Sequence, residues 1–338
     1  MPDTFTLLAD VIVPSKFLPY MVEQTARLSA LWQSGIVEAS SRFNELVRSS
    51  GSLIDMPFWT QFNEADQVIQ TNTALTVKKL SGSADKARKQ MRGIPVGSED
   101  LIALFADTDD PLTVVAAMFG KYWADRLQEI LISTLKGVFG AANMAAAKAN
   151  IFTEDGNAAV AANKFTGDSF IDAETLLGDA AGKLSAIAIH SATYASLKKQ
   201  SLIDYLPDDE GKPTIAIYQG KRVIVDDGLP VRAGTASGNV YTSYLFGAGA
   251  LAFGEDDLST PVEGGHGTQA LELDRTALAG QTAVISRRRF MLHPRGVKWL
   301  EASVAATHPT NAELENSANW TRVFEQKNVK IVQFNHNN

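Results

Sequence analysis

The sequence predicts an α+β fold built on one long helix, with an extended ribbon that cannot form a core by itself. Residues 111 to 139 carry one apolar stripe at three- and four-residue steps. Beyond residue 165, short strands and helices mix without regular βαβ alternation. Residues 56 to 98 hold β-branched, partly alternating segments whose apolar faces are thin.

Residues 1–55 read as an N-terminal arm. Pro14, Pro19, Gly35 and Gly51 limit it to one helix, from Pro19 to Gln33. Residues 56–98 read as a long hairpin, with a strand from Thr71 to Leu80, turn chemistry in SGSADK and a return through KQMRGIPVG. A lone two-stranded ribbon is marginal in water, so this one is expected to lie against something else. Residues 99–164 hold the helix over 111–139. Asp110 is its N-cap, Pro111 its first residue and Gly140 its stop. At about 1.5 Å per residue it spans roughly 40 Å.

Residues 165–285 form the α+β region. A small-residue helix in FTGDSFIDAETLLGDAAGKLSA precedes a buried strand, Ile187 to Ile189, that runs into a helix through Ser191. PTIAIYQGKRVIVDDGLP predicts a strand pair about Gln219 and Gly220, and NVYTSYLFGAGALAFGE a second pair broken at GAG. Residues 286–338 return as a strand in AVISRRRFMLHPRGVKWLE, followed by a polar C-terminal segment.

Apolar residues make up 45% and charged residues 20%, which places the chain among globular proteins. There is no cysteine, which excludes disulfides and cysteine-held metals and fits a reducing compartment. The N-terminus MPDTFTLLADVIVPSKF is acidic where a secretory signal is basic, and no run of 18 apolar residues occurs. Net charge is −7, against a protein whose main task is gripping phosphates. Yet Lys78, Lys79, Lys86, Arg88, Lys89 and Arg92 share one window with a single acid, Asp85. A basic segment on an acidic body fits contact with another copy; a solvated loop is the other reading.

Candidate chemistry is sparse. The five histidines, His190, His266, His293, His308 and His336, include no i, i+4 pair and no HExxH motif. No phosphate loop, dinucleotide fingerprint or GxSxG elbow is present. Asp107, Asp109 and Asp110 suit the start of a helix. Asp208, Asp209 and Glu210 form a polar turn, and Glu255, Asp256 and Asp257 follow a strand. None of these groups has the spacing of a calcium loop. Asp226 and Asp227, at the end of RVIVDDGLP, are open to two readings: ligands of a metal-dependent hydrolase, with His190 near, or turn residues before Gly228 and Pro230. Arg287, Arg288 and Arg289 lie in a strand, so Arg287 and Arg289 share one face. Three charges there are hard to place in a monomer; an intersubunit ion-pair network or phosphate contact would take them.

Arm, basic hairpin, long helix, α+β region and returning strand follow in an unusual order. With AIAIHSATYASLKKQ, GKRVIVDDGLP, YTSYLFGAGALAFGE and the tail HPTNAELENSANWTRVFEQKNVKIVQFNHN, the chain resembles tailed-phage (Caudoviricetes) major capsid proteins of the HK-ninety-seven-like fold. The resemblance covers nearly the whole chain. It implies an N-arm, an extended loop (E-loop), a spine helix in a peripheral domain, and an axial domain at the capsomer centre. It further implies a non-enzymatic shell protein, without cofactor, that self-assembles in the host cytoplasm into hexamers and pentamers of an icosahedral virion around double-stranded DNA. The implied partners are other copies, DNA bound without sequence specificity, and scaffolding, portal and decoration proteins, with no membrane. Because the arm begins almost at once, scaffolding is expected to be separate or absent rather than fused. Contacts between copies are then expected from Lys78, Lys79, Lys86, Arg88, Lys89, Arg92, Asp226, Asp227, Arg287 and Arg289, with Asp226 and Asp227 as turn and contact residues. Deleting residues 75 to 92 is expected to leave a soluble fold that no longer assembles. The rival classes are the hydrolase and an adaptor of smaller assemblies.

Overall fold

In the computed structural model, residues 35–60, 65–69, 71, 74–99, 111–207, 213–256, 271–276 and 280–338 are described. The expected helix from Pro19 to Gln33, the Asp110 cap, His266, and the acids Asp107, Asp109, Asp208, Asp209, Glu210 and Asp257 lie outside them.

β1 (Val37–Ala39) leads into α1 (Ser41–Arg48), which Ser40 starts by accepting the Phe43 N–H at 3.4 Å. β2 (Leu53–Trp59) and β3 (Gly82–Arg88) pair antiparallel, Leu53 opposite Arg88 and Trp59 opposite Gly82. A ribbon is present, but neither strand is the expected one: β2 precedes Thr71–Leu80, and the expected return KQMRGIPVG falls mostly in the next strand, Gln90–Glu99, which pairs with residues 281–290 instead. Residues 74–80 are not strand, and most of SGSADK, expected as a turn, is β3. The reason is a distant partner. The buried Asp85 carboxylate accepts from His293 Nε2 at 3.0 Å and from the Gly296 N–H at 2.9 Å, and Ala87 is fully buried beside it.

β4 (Gln90–Glu99) and α2 (Pro111–Gly140) follow. The spine helix is as expected: Trp123, Leu127, Leu131, Leu135 and Val138 are buried along one stripe. Then come β5 (Lys148–Asn150) and α3 (Gly167–Thr175), the latter with a Thr166–Ser169 capping box. The helix expected over this region is shorter, because a 3₁₀ segment, Gly178–Lys183, takes over before β6 (Leu184–Ile189). α4 (Ser191–Lys199), β7 (Asp204–Pro207), β8 (Pro213–Tyr218) and β9 (Lys221–Val225) come next. Gln219 and Gly220, at φ +45° and +75°, make the expected tight turn between β8 and β9.

β10 (Val231–Ala233), β11 (Asn239–Gly247) and β12 (Leu251–Asp256) follow, then β13 (Leu271–Thr276), β14 (Gln281–Pro294) and β15 (Val297–Trp299). The chain closes with α5 (Asn311–Glu315), β16 (Trp320–Arg322) and β17 (Ile331–His336).

Two large sheets take most of these strands, while β2-β3 and β15-β16 pair by themselves. One has eight, in the order β5-β17-β11-β6-β9-β8-β7, with β10 also on β11. The other has five, in the order β1-β12-β14-β13, with β4 on β14. β11 and β12, expected as a pair, belong to different sheets. Gly247 to Gly249 is the crossing point, where a Cβ on Gly247 would lie 2.7 Å from the Lys183 carbonyl oxygen. Sheet membership also crosses residue 285 both ways: β12 and β13 pair with β14, while β17 enters the eight-stranded sheet.

Strand alternation divides the core. Ala186, Ala188, Tyr244 and Phe246 face the spine helix, in one cluster with Leu131, Leu135 and Phe139. Ile187, Ile189, Leu245 and Phe334 face the opposite way, onto Phe165, Phe170 and Leu177. Phe290, Leu292, Leu314 and Trp320 join the first cluster, so the spine helix packs against both sheets.

Candidate assembly interface

The ribbon has a buried root and an exposed tip. At the root, Lys86 pairs with Asp55 across the strands at 3.3 Å. Arg88 donates to Ser52 Oγ at 3.1 Å, to the Glu301 carboxylate and to the Thr307 carbonyl. Lys89 is buried and donates to Ser49 and Ser50 at the C-terminal end of α1. Arg92 donates to the Pro309 carbonyl at 2.6 Å and to Asn311 Oδ1 at 3.1 Å. Burial lowers the pKa of Arg88, Lys89 and Arg92; in Arg92, Glu313 and Tyr122 oppose the shift. The guanidinium groups stay charged all the same. Lys86, Arg88, Lys89 and Arg92 are thus held by partners within the chain.

The tip is different. Trp59, Val68, Ile69, Leu75, Val77 and Leu80 are exposed, Ile69 at 81% and Val77 at 94%. Lys78 and Lys79 are exposed among them. The Gln67 side-chain amide bridges the tip, donating to Thr76 O and accepting from Thr76 N, both at 2.8 Å. Exposed apolar surface of this kind is what contact surfaces commonly present to water before they are covered. The sequence hinted at this only through faces too thin for a core.

Asp227 does meet His190, but Asp226 and Asp227 serve as turn and cap residues. Asp226 accepts from the Gly228 N–H at 2.8 Å and from Gln128 Nε2, closing the turn after β9. Asp227 accepts the Ser191 N–H at 3.2 Å, and His190 Nδ1 accepts the Ala192 N–H at 3.1 Å. Both therefore satisfy the start of α4. His190 Nε2 stands 3.7 Å from Asp227, whose carboxyl is held below its ordinary pKa by Ser191 and, less, by His190. Among the described residues no group of three or more His, Asp or Glu is arranged to hold a metal.

The arginine run finds partners within its own chain. β12 supplies Glu255 and Asp256 beside β14, in register with Phe290 and Arg289. Arg289 Nε donates to Asp256 at 2.8 Å, Arg48 reaches the same carboxylate at 3.1 Å, and Arg288 reaches Glu255 at 3.1 Å while lying 5.7 Å over the Trp123 ring. Arg287 sits opposite Gly93, where a Cβ would come within 3.2 Å of its Cγ. A single chain therefore accommodates these charges.

His336 is buried, bonded to Ser243 Oγ at 2.9 Å, and its pKa is pushed down to about 4 by burial. The Asp85–His293 pair at the ribbon root went unread in the sequence, because its members stand 208 positions apart.

A family model described as Gp13-like, major capsid protein 13-like, matches residues 47–330. The major capsid protein of Bacillus phage SPP1 is 39% identical over 335 residues, covering 98% of each chain. Among solved structures, the capsid of Ralstonia phage GP4 is similar at TM-score 0.61 and 8% identity, over 97% of this chain and 96% of that one. The cyanophage Pam1 capsid asymmetric unit is similar at TM-score 0.58 and 11% identity, over 100% and 99%. At such identities the structures speak for the fold, which is that of tailed-phage capsids, and the SPP1 relative and family model speak for descent. The chain belongs to the Gp13-like family of phage major capsid proteins, structural components of the virion rather than enzymes.

Proposed function

We propose that copies of this chain assemble into hexamers and pentamers of an icosahedral shell that encloses double-stranded DNA, each ribbon tip lying on a neighbouring copy. The observation that carries this reading is the contrast within one ribbon: a root wired into its own chain and a tip with six exposed large apolar residues. Burying that tip against a neighbour removes its apolar surface from water and offsets the ordering of a thin ribbon. Such arms enlarge interfaces into the range of obligate assemblies, roughly 2,000–5,000 Å² or more. Lys78, Lys79 and the exposed Asp227 are the charged contacts this reading favours, on copies whose net charge is −7. Lys86, Arg88, Lys89, Arg92, Asp226, Arg287 and Arg289 contribute by shaping the surfaces that meet. The acidic average weakens adhesion of packaged DNA to the shell wall. Scaffolding, portal and decoration proteins are the further partners, and the host cytoplasm is the place of assembly.

The deletion of residues 75 to 92 cannot test this reading, because it removes all of β3, with the buried Asp85 and Ala87, and so opens the core. Replacing residues 62 to 79 by a short Gly-Ser link cuts only beyond the ribbon strands. The expected product is a folded, soluble chain that forms no closed shells in sedimentation and negative-stain microscopy. Normal shells from that variant would refute the tip's role, and discrete rings from the intact chain would favour an adaptor.

A further inference from the structure

A two-stranded ribbon has little stiffness of its own, so its direction is decided at its root. One face of β3 seats Asp85 and Ala87 on the body, through His293, Gly296 and the cluster of Phe43, Val47 and Met291. The other side is held by the segment before α5. Three consecutive residues of that segment meet three root residues: Thr307 O takes Arg88, the His308 ring bonds the Lys89 backbone, and Pro309 O takes Arg92. Arg88 alone joins the start of β2, Glu301 and Thr307. A planar guanidinium can point separate N–H groups at three fixed acceptors; an ammonium on a flexible stem cannot hold all three in one geometry.

The clamp continues into the spine helix. Thr310, next in the chain, caps α5 through a reciprocal bond with Glu313. α5 then lies hard on α2, where a Cβ at Gly137 would stand 1.9 Å from the Leu314 carbonyl oxygen. The ribbon root is thus referenced, through residues 307–311, to the longest helix among the described residues.

We propose that Arg88 and Arg92 are positioning residues for assembly, fixing the angle at which the ribbon leaves the body so that its tip meets a neighbour in the orientation that closes a shell. This rests on the reading of the tip given above. Both residues act through the 307–309 segment and touch no neighbouring copy themselves.

The chain has no native cysteine, so spin labels at Ser83→Cys on β3 and Arg126→Cys on α2 report the ribbon angle cleanly. They are placed in the chain lacking residues 62 to 79, so that isolated subunits are read. The pair Arg88→Lys and Arg92→Lys is expected to broaden the label distance distribution with little change in thermal midpoint. In the full-length chain the same pair is expected to lose uniform shells in favour of open or irregular ones. An unchanged distance distribution, or uniform shells of wild-type diameter, overturns the proposal. Should the double variant fail to fold, Arg88→Lys alone carries the same two readouts under the same criteria. Shells formed by the tip-deleted chain would instead refute the underlying reading of the tip.

Discussion

At the scale of single residues, the adjacent carboxylates and the buried histidine make separate predictions. Asp227 works as a cap through one oxygen, so Asp227→Asn, which keeps an acceptor, should leave stability within ~0.5 kcal/mol, while Asp227→Ala should cost about 1 kcal/mol in urea unfolding. A role that needed the negative charge would make Asp227→Asn about as costly as Asp227→Ala. His336 is neutral in the fold, with its pKa near 4 against 6.5 for the ordinary side chain. The unfolded chain therefore takes up a proton first as pH falls. Stability tied to this residue is intact above about 6.5 and is lost progressively towards 4, by up to roughly 3 kcal/mol at ~1.4 kcal/mol per unit. His336→Gln, able to keep the bond to Ser243, should flatten the dependence of the thermal midpoint between those values. The turn role of Asp226 and Asp227 was legible because Asp-Gly turn chemistry is local. The buried acid of the ribbon was not, since Asp85 owes its burial to His293 and Gly296, which local composition does not reveal.

At the scale of elements, periodicity made the spine helix legible almost to its ends, and alternation did the same for β14. An extended ribbon was legible but neither of its strands was: Thr71–Leu80 is not strand where described, and Gly82, Ser83 and Asp85 look like turn residues until their tertiary partners are known. The GAG segment was likewise read as a hinge within one sheet. It is the passage between two, and no alternation pattern distinguishes those cases. The spine also offers a test of its seat. Gly137→Ala in a solvated helix would gain about 1 kcal/mol of helix propensity. Here the new methyl would strike Leu314 O and the Trp320 ring, so overpacking of about 1–3 kcal/mol should prevail and lower the thermal midpoint.

At the scale of the whole molecule, the exposed lysines of the tip are charges placed to guide encounter between copies. Lys78→Glu with Lys79→Glu should slow shell formation at low salt, followed by light scattering, and the difference from wild type should shrink as salt rises. An equal deficit at all salt concentrations would assign the pair a packing role instead. The sheet order has another consequence. β17, made after every other strand, lies between β5 and β11, with Val332 and Phe334 buried in the core. The eight-stranded sheet therefore cannot be completed while residues 331–336 are still inside the ribosome, and its pairings join segments far apart in sequence, which slows folding. A chain cut short before Ile331 carries an unfilled slot between β5 and β11. Synthesis itself thus delays the completed sheet until the last residues emerge, and in the proposed assembly a truncated product lacks the finished body on which a neighbour would rest.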